Sequence, residues 1–317
     1  MTLSTPVAFL VFNRPDTTEK VFEAIRQAKP KKLLVIADGA RPDKLGEAEK
    51  CAETRAIIDR VDWDCEVLKN YSDINLGCKK RVSSGLDWVF SEVEEAIILE
   101  DDCLPSPSFF SFCNTLLERY RDDERITMIG GSNLQLGQSR TEYSYYFSRY
   151  MHIWGWATWR RAWQHYDVAM GTWSEYKKLD LIKSTCEDPY EQKFWTNIFE
   201  QGFNGAIDTW DYQWVYTCWS QSGLSVIPNV NLISNIGFGA DATHTLSSET
   251  PWANLPTSDL EDIKHPPFIV RNREADDYTF EYHYGGKGMK DADLLIPRIK
   301  RKLKAIKGLV EHSSSFA

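Results

Sequence analysis

Apolar and polar positions fall in alternating blocks along the first 130 residues, and the blocks predict strands and helices in turn. Val7 to Phe12 is an unbroken apolar run, the pattern of a parallel strand buried on both faces. Asp16 and Glu19 have capping-box spacing, with Asp in the Ser/Thr role, and Val21, Phe22 and Ile25 follow as a helix face. Leu33 to Ala37 predicts a second strand, ending at Asp38-Gly39, and a charged helix runs on to about Arg60. Cys65 to Leu68 reads as a third strand, and Val82, Leu86, Val89 and Phe90 mark another helix. Ala96 to Leu99 is a fourth strand, closing in Glu100-Asp101-Asp102; Phe109 to Tyr120 is again helical and Ile126 to Ile129 a fifth strand. Strand and helix alternating through short links predict an α/β fold, a mostly parallel sheet with helices on both faces.

From Thr141 to Trp219 the pattern changes: aromatics crowd the chain and the alternation is lost. With no linker between the halves, this part is expected to extend the same sheet. The predicted organisation is one domain over residues 1–290, with halves at 1–130 and 131–250. Ala240 to about Asp293 reads as loop. Leu295, Ile299, Leu303, Ile306 and Val310 recur at helical spacing and predict a C-terminal amphipathic helix over 294–310.

Charge sharpens this picture. The net charge is -9, yet Arg298, Lys300, Arg301, Lys302, Lys304 and Lys307 form a basic run without an acid. Those are six of 37 Lys and Arg, so the rest of the chain carries 31 against 46 Asp and Glu. A globule that acidic is a poor nucleic-acid binder. The basic helix could lie on an anionic membrane surface or dock on the acidic globule itself. Met1 to Pro6 is short and polar, and no apolar run reaches membrane-span length, so neither a signal peptide nor a span is expected. The seven scattered cysteines suggest reduced thiols and a cytoplasmic setting.

Ligands of such sheets bind beyond the carboxyl ends of the strands. Asn13-Arg14, Asp38 and the acidic triplet all lie at those ends. Adjacent carboxylates in a turn repel one another and call for a cation, and Mg²⁺ or Mn²⁺ commonly bridges such carboxylates to substrate phosphates. There is no GxGxxG, no GxxxxGK[ST], no HExxH and no GxSxG, which disfavours dinucleotide oxidoreductases, P-loop NTPases, zincins and serine hydrolases. Phosphates must then be held by metal and side chains. A solvated acidic turn is the plain alternative.

These residues resemble a known family. Ile97-Ile98-Leu99-Glu100-Asp101-Asp102, with Pro107 and Phe109-Phe110 after it, resembles the metal-binding segment of the GT-A glycosyltransferases, and most of all the N-acetylglucosaminyltransferase I family. Pro6 to Leu10 leading to Asn13-Arg14, Gly77 to Arg81 before Leu86 to Phe90, Gly155-Trp156, and Trp210-Asp211 with Trp214 agree in order. The chain departs from the family in reading Trp-Asp-Tyr-Gln-Trp where the family pairs acids, and in having no N-terminal anchor. The resemblance implies a GT-A fold and a metal-dependent, inverting transfer from a UDP-sugar to a hydroxyl of a glycan, glycolipid or protein acceptor.

The resemblance also implies roles by position. Asp102 would ligate the metal, Asp101 would contact ribose or sugar, Asp38 the uracil, and Arg14 the nucleotide, with Glu100 in the same segment. Lys79 and Arg81 would reach base or phosphates, although a solvated face suits each, and Arg81 could instead pair with the triplet. His244, in a loop with two glycines, is a candidate metal ligand; Trp156 is a candidate pocket wall. Asp211 and Asp208 are the candidate bases, Asp211 first, with helix capping near Tyr212 the structural alternative. A sugar-nucleotide pyrophosphorylase and a non-catalytic carbohydrate-binding protein are the rival readings. The former usually carries a glycine-rich loop after the first strand, where this chain has Asn13-Arg14-Pro15.

Overall fold

A computed structural model describes residues 3–238 and 250–294. His244 and the C-terminal helix beyond Leu294 lie outside the described residues. The first half gives β1 (Val7–Val11), α1 (Pro15–Ala28), β2 (Lys32–Ala37), α2 (Glu47–Ile58), β3 (Glu66–Tyr71), α3 (Gly77–Glu92) and β4 (Glu95–Glu100). Next come a short β5 (Cys103–Pro105), α4 (Pro107–Arg119) and β6 (Ile126–Gly130). The aromatic half adds β7 (Tyr145–Ser148), β8 (Trp156–Trp159), α5 (Arg160–Trp163), α6 (Trp173–Lys178), α7 (Ile182–Thr185), α8 (Pro189–Phe203) and α9 (Asp211–Ser220). β9 (Leu224–Pro228) and β10 (Ile233–Asn235) follow. The region read as loop is helical in places: α10 (Arg273–Tyr278) runs into a π-helical turn, Thr279–His283.

Eight strands form one sheet in the order β3-β2-β1-β4-β8-β6-β9-β7. β3, β2, β1 and β4 are mutually parallel, with Val7 opposite both Leu33 and Ile97. β8 runs antiparallel between β4 and β6, pairing Ile98 with Trp156 and Ile129 with Ala157. Successive strand residues point to opposite faces, and two cores result. Phe9, Val35, Ile97 and Leu99 pack with α1, α2 and α4, while Leu10, Ile36 and Ile98 pack with α3 and α5 to α9. The fold is therefore mixed α/β with helices on both faces of a sheet that is parallel through its first half.

Two local expectations are corrected. The capping box at Asp16 is not formed: α1 begins at Pro15, whose fixed φ suits the first helical position, and Arg14 is the cap residue without a side-chain cap. Thr18 Oγ1 instead donates to the Arg14 carbonyl at 2.7 Å. Likewise Asp211 does not cap α9; it is the first helical residue, and Trp210 holds the cap position.

Candidate functional site

The parallel register decides the site. Leu10 of β1 lies opposite Glu100 of β4, so the turn after β1 and the turn after β4 meet at the carboxyl edge of the sheet. Arg14 closes the gap: its Nη2 donates to Asp101 Oδ1 at 2.5 Å and Asp102 Oδ2 at 3.0 Å. The Phe12 backbone N–H donates to Asp101 Oδ2 at 3.2 Å. Asp101 and Asp102 are buried, at 3% and 9% exposure. The cation on the triplet is thus Arg14 and not Arg81.

The electrostatics of the turn are unbalanced, with three carboxylates facing one guanidinium. Burial, reinforced by Asp102 and Asp101, pushes Glu100 up to about 8. Burial likewise lifts Asp101 to about 6, against the pull of Arg14. Burial works against the Arg14 charge, but Asp101 and Asp102 outweigh it and raise its pKa.

Asp38, at the end of β2, is buried and committed to the fold. It accepts from the N–H groups of Gly39 and Leu76 at 2.9 Å and of Gly77 at 3.1 Å, and burial still raises its pKa. It thereby pins the loop before α3. Arg81 is also buried; its Nη2 donates to the Asn70 carbonyl at 2.5 Å and to Asn70 Oδ1 at 2.8 Å. Lys79 is half-buried at the start of α3, its Nζ 3.5 Å from the Gly202 carbonyl.

Asp208 and Asp211 come to the same edge from the aromatic half. Exposed Asp208 accepts from the Lys79 backbone N–H at 3.3 Å and lies against Gly77, where a Cβ would sit 3.0 Å from Asp208 Oδ2. Asp211 accepts from the Thr209 hydroxyl. Cys78 lies among these acids: burial, then Glu100, Asp211, Asp208 and Asp38, raise its thiol pKa. Asp211 also adds to the upward push on Glu100. The helix α9 therefore brings a second carboxylate within electrostatic reach of the triplet.

Trp156 is corrected. It has no exposure, stacks on Trp210 at 5.6 Å and packs against Trp214. β8 is a central strand covered on both faces, so Trp156 is core rather than a pocket wall. The half-buried tryptophan of that segment is Trp154. Between them Gly155 adopts φ 60°, with a hypothetical Cβ 2.4 Å from Ile233 Cδ1, so a side chain there is excluded.

Two further residues support the site: Gly237, which opens the two-glycine loop of His244, and Glu47, from the charged helix after β2. Gly237 follows β10, whose Asn235 pairs with Cys103 just after the triplet. The Ile236 N–H donates to the Asp102 carbonyl at 2.8 Å, and a Cβ on Gly237 would lie 2.1 Å from Asp102 Oδ2 and 2.7 Å from Arg14 Nη1. Glu47 is buried at the start of α2 and accepts from Asn13 Nδ2 at 2.9 Å and the Arg41 N–H at 2.7 Å, which fixes the turn after β1. A separate cavity of about 540 Å³ lies between α1 and α4, lined by Lys20, Ala24, Pro107 and Phe110 among others. None of its lining residues belongs to the acidic edge.

No protein-family model matches the chain, and no curated protein matches it. Solved structures share a loose likeness. A UDP-glucose pyrophosphorylase complexed with UDP-glucose aligns over 45% of this chain and 62% of its own, at 11% identity and a TM-score of 0.26. The inositol-1-phosphate CTP transferase from T. maritima aligns over 78% and 94%, at 9% identity and 0.37. A 4-diphosphocytidyl-2C-methyl-D-erythritol synthase from Anaerococcus prevotii DSM 20548 aligns over 55% and 77%, at 8% identity and 0.30. Likeness this loose carries no inference about activity. The fold and the edge themselves define a mixed α/β protein whose acidic turn, guanidinium and facing carboxylate converge beyond the ends of parallel strands. Among the described residues no helix is long and apolar enough to cross a membrane.

Proposed function

We propose that the protein is a glycosyltransferase that uses Mn²⁺ or Mg²⁺ to move a sugar from a UDP-sugar to an acceptor hydroxyl with inversion. The observation that carries this reading is the pairing of two acidic groups of different origin. The Glu100-Asp101-Asp102 turn comes from the parallel half, and Asp211 comes from the first turn of α9 on the other half. Transfer to a hydroxyl needs both a place to neutralise the departing diphosphate and a separate base. Nucleotidyl transfer needs no such base, and the turn after β1 is not glycine-rich, so this reading is favoured over a pyrophosphorylase.

The carboxylates suit a hard cation by donor type, and the three acids of the turn face the single guanidinium of Arg14. No group of three or more ligating side chains is gathered among the described residues. A cation would be held by one or two carboxylates, Asp102 foremost, with phosphate oxygens completing its shell. Bound there, it would supply Lewis-acid stabilisation of the leaving diphosphate. The chain's own residues do the rest: Arg14 holds Asp101 and Asp102 in register, Asp38 and Glu47 fix the loops around the nucleotide, and Asp211 takes the acceptor proton.

The test is a pair of variants assayed for UDP binding and sugar transfer or donor hydrolysis. Asp102→Ala loses Mn²⁺-dependent UDP binding. Asp211→Asn keeps UDP affinity and its Thr209 contact, yet loses at least ~10²-fold in kcat, the low end of general-base contributions. Near-normal turnover of Asp211→Asn, or nucleoside triphosphate consumption with pyrophosphate release, would sink the reading.

A further inference from the structure

We propose that Trp154, Phe238, Trp252 and His283 form the seat for a neutral pyranose, the acceptor saccharide, on the flank of the acidic turn away from the nucleotide. The inference rests on the glycosyl-transfer reading and names the acceptor class for that site.

Position is the first argument. Arg14 approaches the triplet from β1, and β8 neighbours β4 on the other side. Trp154 enters β8 through Gly155, so it stands on that other side. Phe238 is the next residue after Gly237, which lies against Asp102 and Arg14. The two rings meet at 5.7 Å and 88°, one residue from the carboxylates.

Packing is the second. Trp156, Trp159 and Trp163 close into the core, whereas Trp154, Phe238 and His283 are half-buried around Trp252, which is buried at 8% exposure. His283 meets Trp154 at 6.3 Å and 89° and Trp252 at 5.1 Å and 79°. In an edge-to-face pair one ring covers a single face of the other, so the opposite face of that ring and both faces of the ring offering its edge are free of that partner. Such faces suit the C–H side of a pyranose.

The third is His283 itself. It closes the π-helical turn, a rare geometry often found at functional sites. Its Nδ1 is buried and has no hydrogen-bond partner among the described residues, although buried polar atoms are nearly always paired. A sugar hydroxyl would satisfy it. Burial also holds the imidazole neutral, at about 4, as it does the adjacent His152, at about 3. None of the four seat residues therefore offers a charge near neutral pH, which suits a neutral saccharide over a phosphate or carboxylate.

The experiment is saturation-transfer NMR on the full chain, with UDP and Mn²⁺ present and methyl glycosides of glucose, galactose, mannose and N-acetylglucosamine as probes. The ring C–H protons of at least one glycoside receive saturation in the wild type. Trp154→Ala and Phe238→Ala each weaken that binding by about tenfold, the order of one aromatic contact. His283→Phe keeps the ring, removes the nitrogen and weakens it too. UDP affinity stays unchanged in all three, which shows that they fold; Phe238→Ala carries the test if Trp154→Ala does not. No saturation of any glycoside in the wild type, or equal saturation in wild type and variants, overturns the seat. Failure of the transferase reading shows separately, as absent Mn²⁺-dependent UDP binding.

Discussion

The Arg14 ion pair offers the sharpest energetic test of the acidic edge. Consider Arg14→Met, which keeps the reach of the side chain and removes its charge. Asp101, at 3% exposure, then retains the Phe12 N–H as a donor and loses its counter-ion. Breaking a buried pair by removing one partner costs ~3–5 kcal/mol. A second route sets a ceiling, because the carboxyl can take up a proton instead. Holding an Asp protonated at pH 7 against an unfolded value of ~3.9 costs ~4 kcal/mol. The wild type already carries most of this cost: with a folded value of about 6, Asp101 costs it ~3 kcal/mol at pH 7, so the proton route limits the further loss to ~1.5 kcal/mol. At pH 5 the further loss falls to nearly zero, because Asp101 is already protonated in the wild type. The sign follows from the wild type. Asp101 titrates in the folded state at about 6, above its unfolded value, so the folded form binds the proton first as pH falls. Its destabilising contribution is fully present at pH 7 and fades between about 6 and ~4. In that window Arg14 has less charge to balance. Urea denaturation of wild type and variant at both pH values, with equal slopes, gives the numbers. A loss of ~1–2 kcal/mol at pH 7 that shrinks to within ~0.5 kcal/mol at pH 5 is expected. A loss of ~3 kcal/mol or more at pH 7, or one that does not shrink at pH 5, would contradict proton uptake by Asp101.

Three further outcomes follow from the same geometry. Gly237→Ala forces a methyl group onto Asp102 Oδ2 and Arg14 Nη1; calorimetry should find Mn²⁺-dependent UDP affinity reduced at least ~tenfold, whereas unaltered affinity would mean that the segment simply moves aside. Asp208→Ala removes the acceptor of the Lys79 N–H and should cost ~0.5–2 kcal/mol, as for a lost helix cap, with kcat little changed; a kcat loss of ~10²-fold would make Asp208 the base instead of Asp211. Because Glu100 is held at about 8 and a cation favours its ionised form, binding of Mn²⁺ with UDP at pH 7 should release protons. Binding enthalpies that do not change between buffers of different ionisation enthalpy would contradict that.

The legible part of the chain is its parallel half. β1, β2, β4 and β6 are buried at nearly every position, and such strands announce themselves as unbroken apolar runs. β3 is the edge strand, half-exposed throughout, and its bounds shift to Glu66–Tyr71 from the expected Cys65 to Leu68. The aromatic half was opaque for a physical reason. β7 and β8 are buried on both faces, and α9 buries every residue from Gln213 to Trp219. With no solvent face, neither the strand nor the helix period is written into the sequence. The same loss misdirected the choice of tryptophan, since nothing local separates core Trp156 from half-exposed Trp154. The acidic turn was legible because it ends a buried strand. Its partner Arg14 was placed at the same strand ends by the strand–helix alternation and at the nucleotide by resemblance; its pairing with Asp101 and Asp102 depends on the β1–β4 register.

The antiparallel β8, lodged between β4 and β6, has a consequence for how the chain is made. β4 is complete at Glu100, but the strand that covers its outer edge begins at Trp156. Until those intervening residues have emerged and folded back, the edge of Ala96-Ile97-Ile98-Leu99 stands open, with its amides and carbonyls unpaired. An open apolar edge is a template for pairing with other chains, and long-range strand pairing forms slowly. A fragment ending near residue 130 would thus keep the acidic turn yet aggregate through β4. The two halves of this sheet are obliged to mature together, and β8, lodged between them, is the strand that closes the open edge of β4.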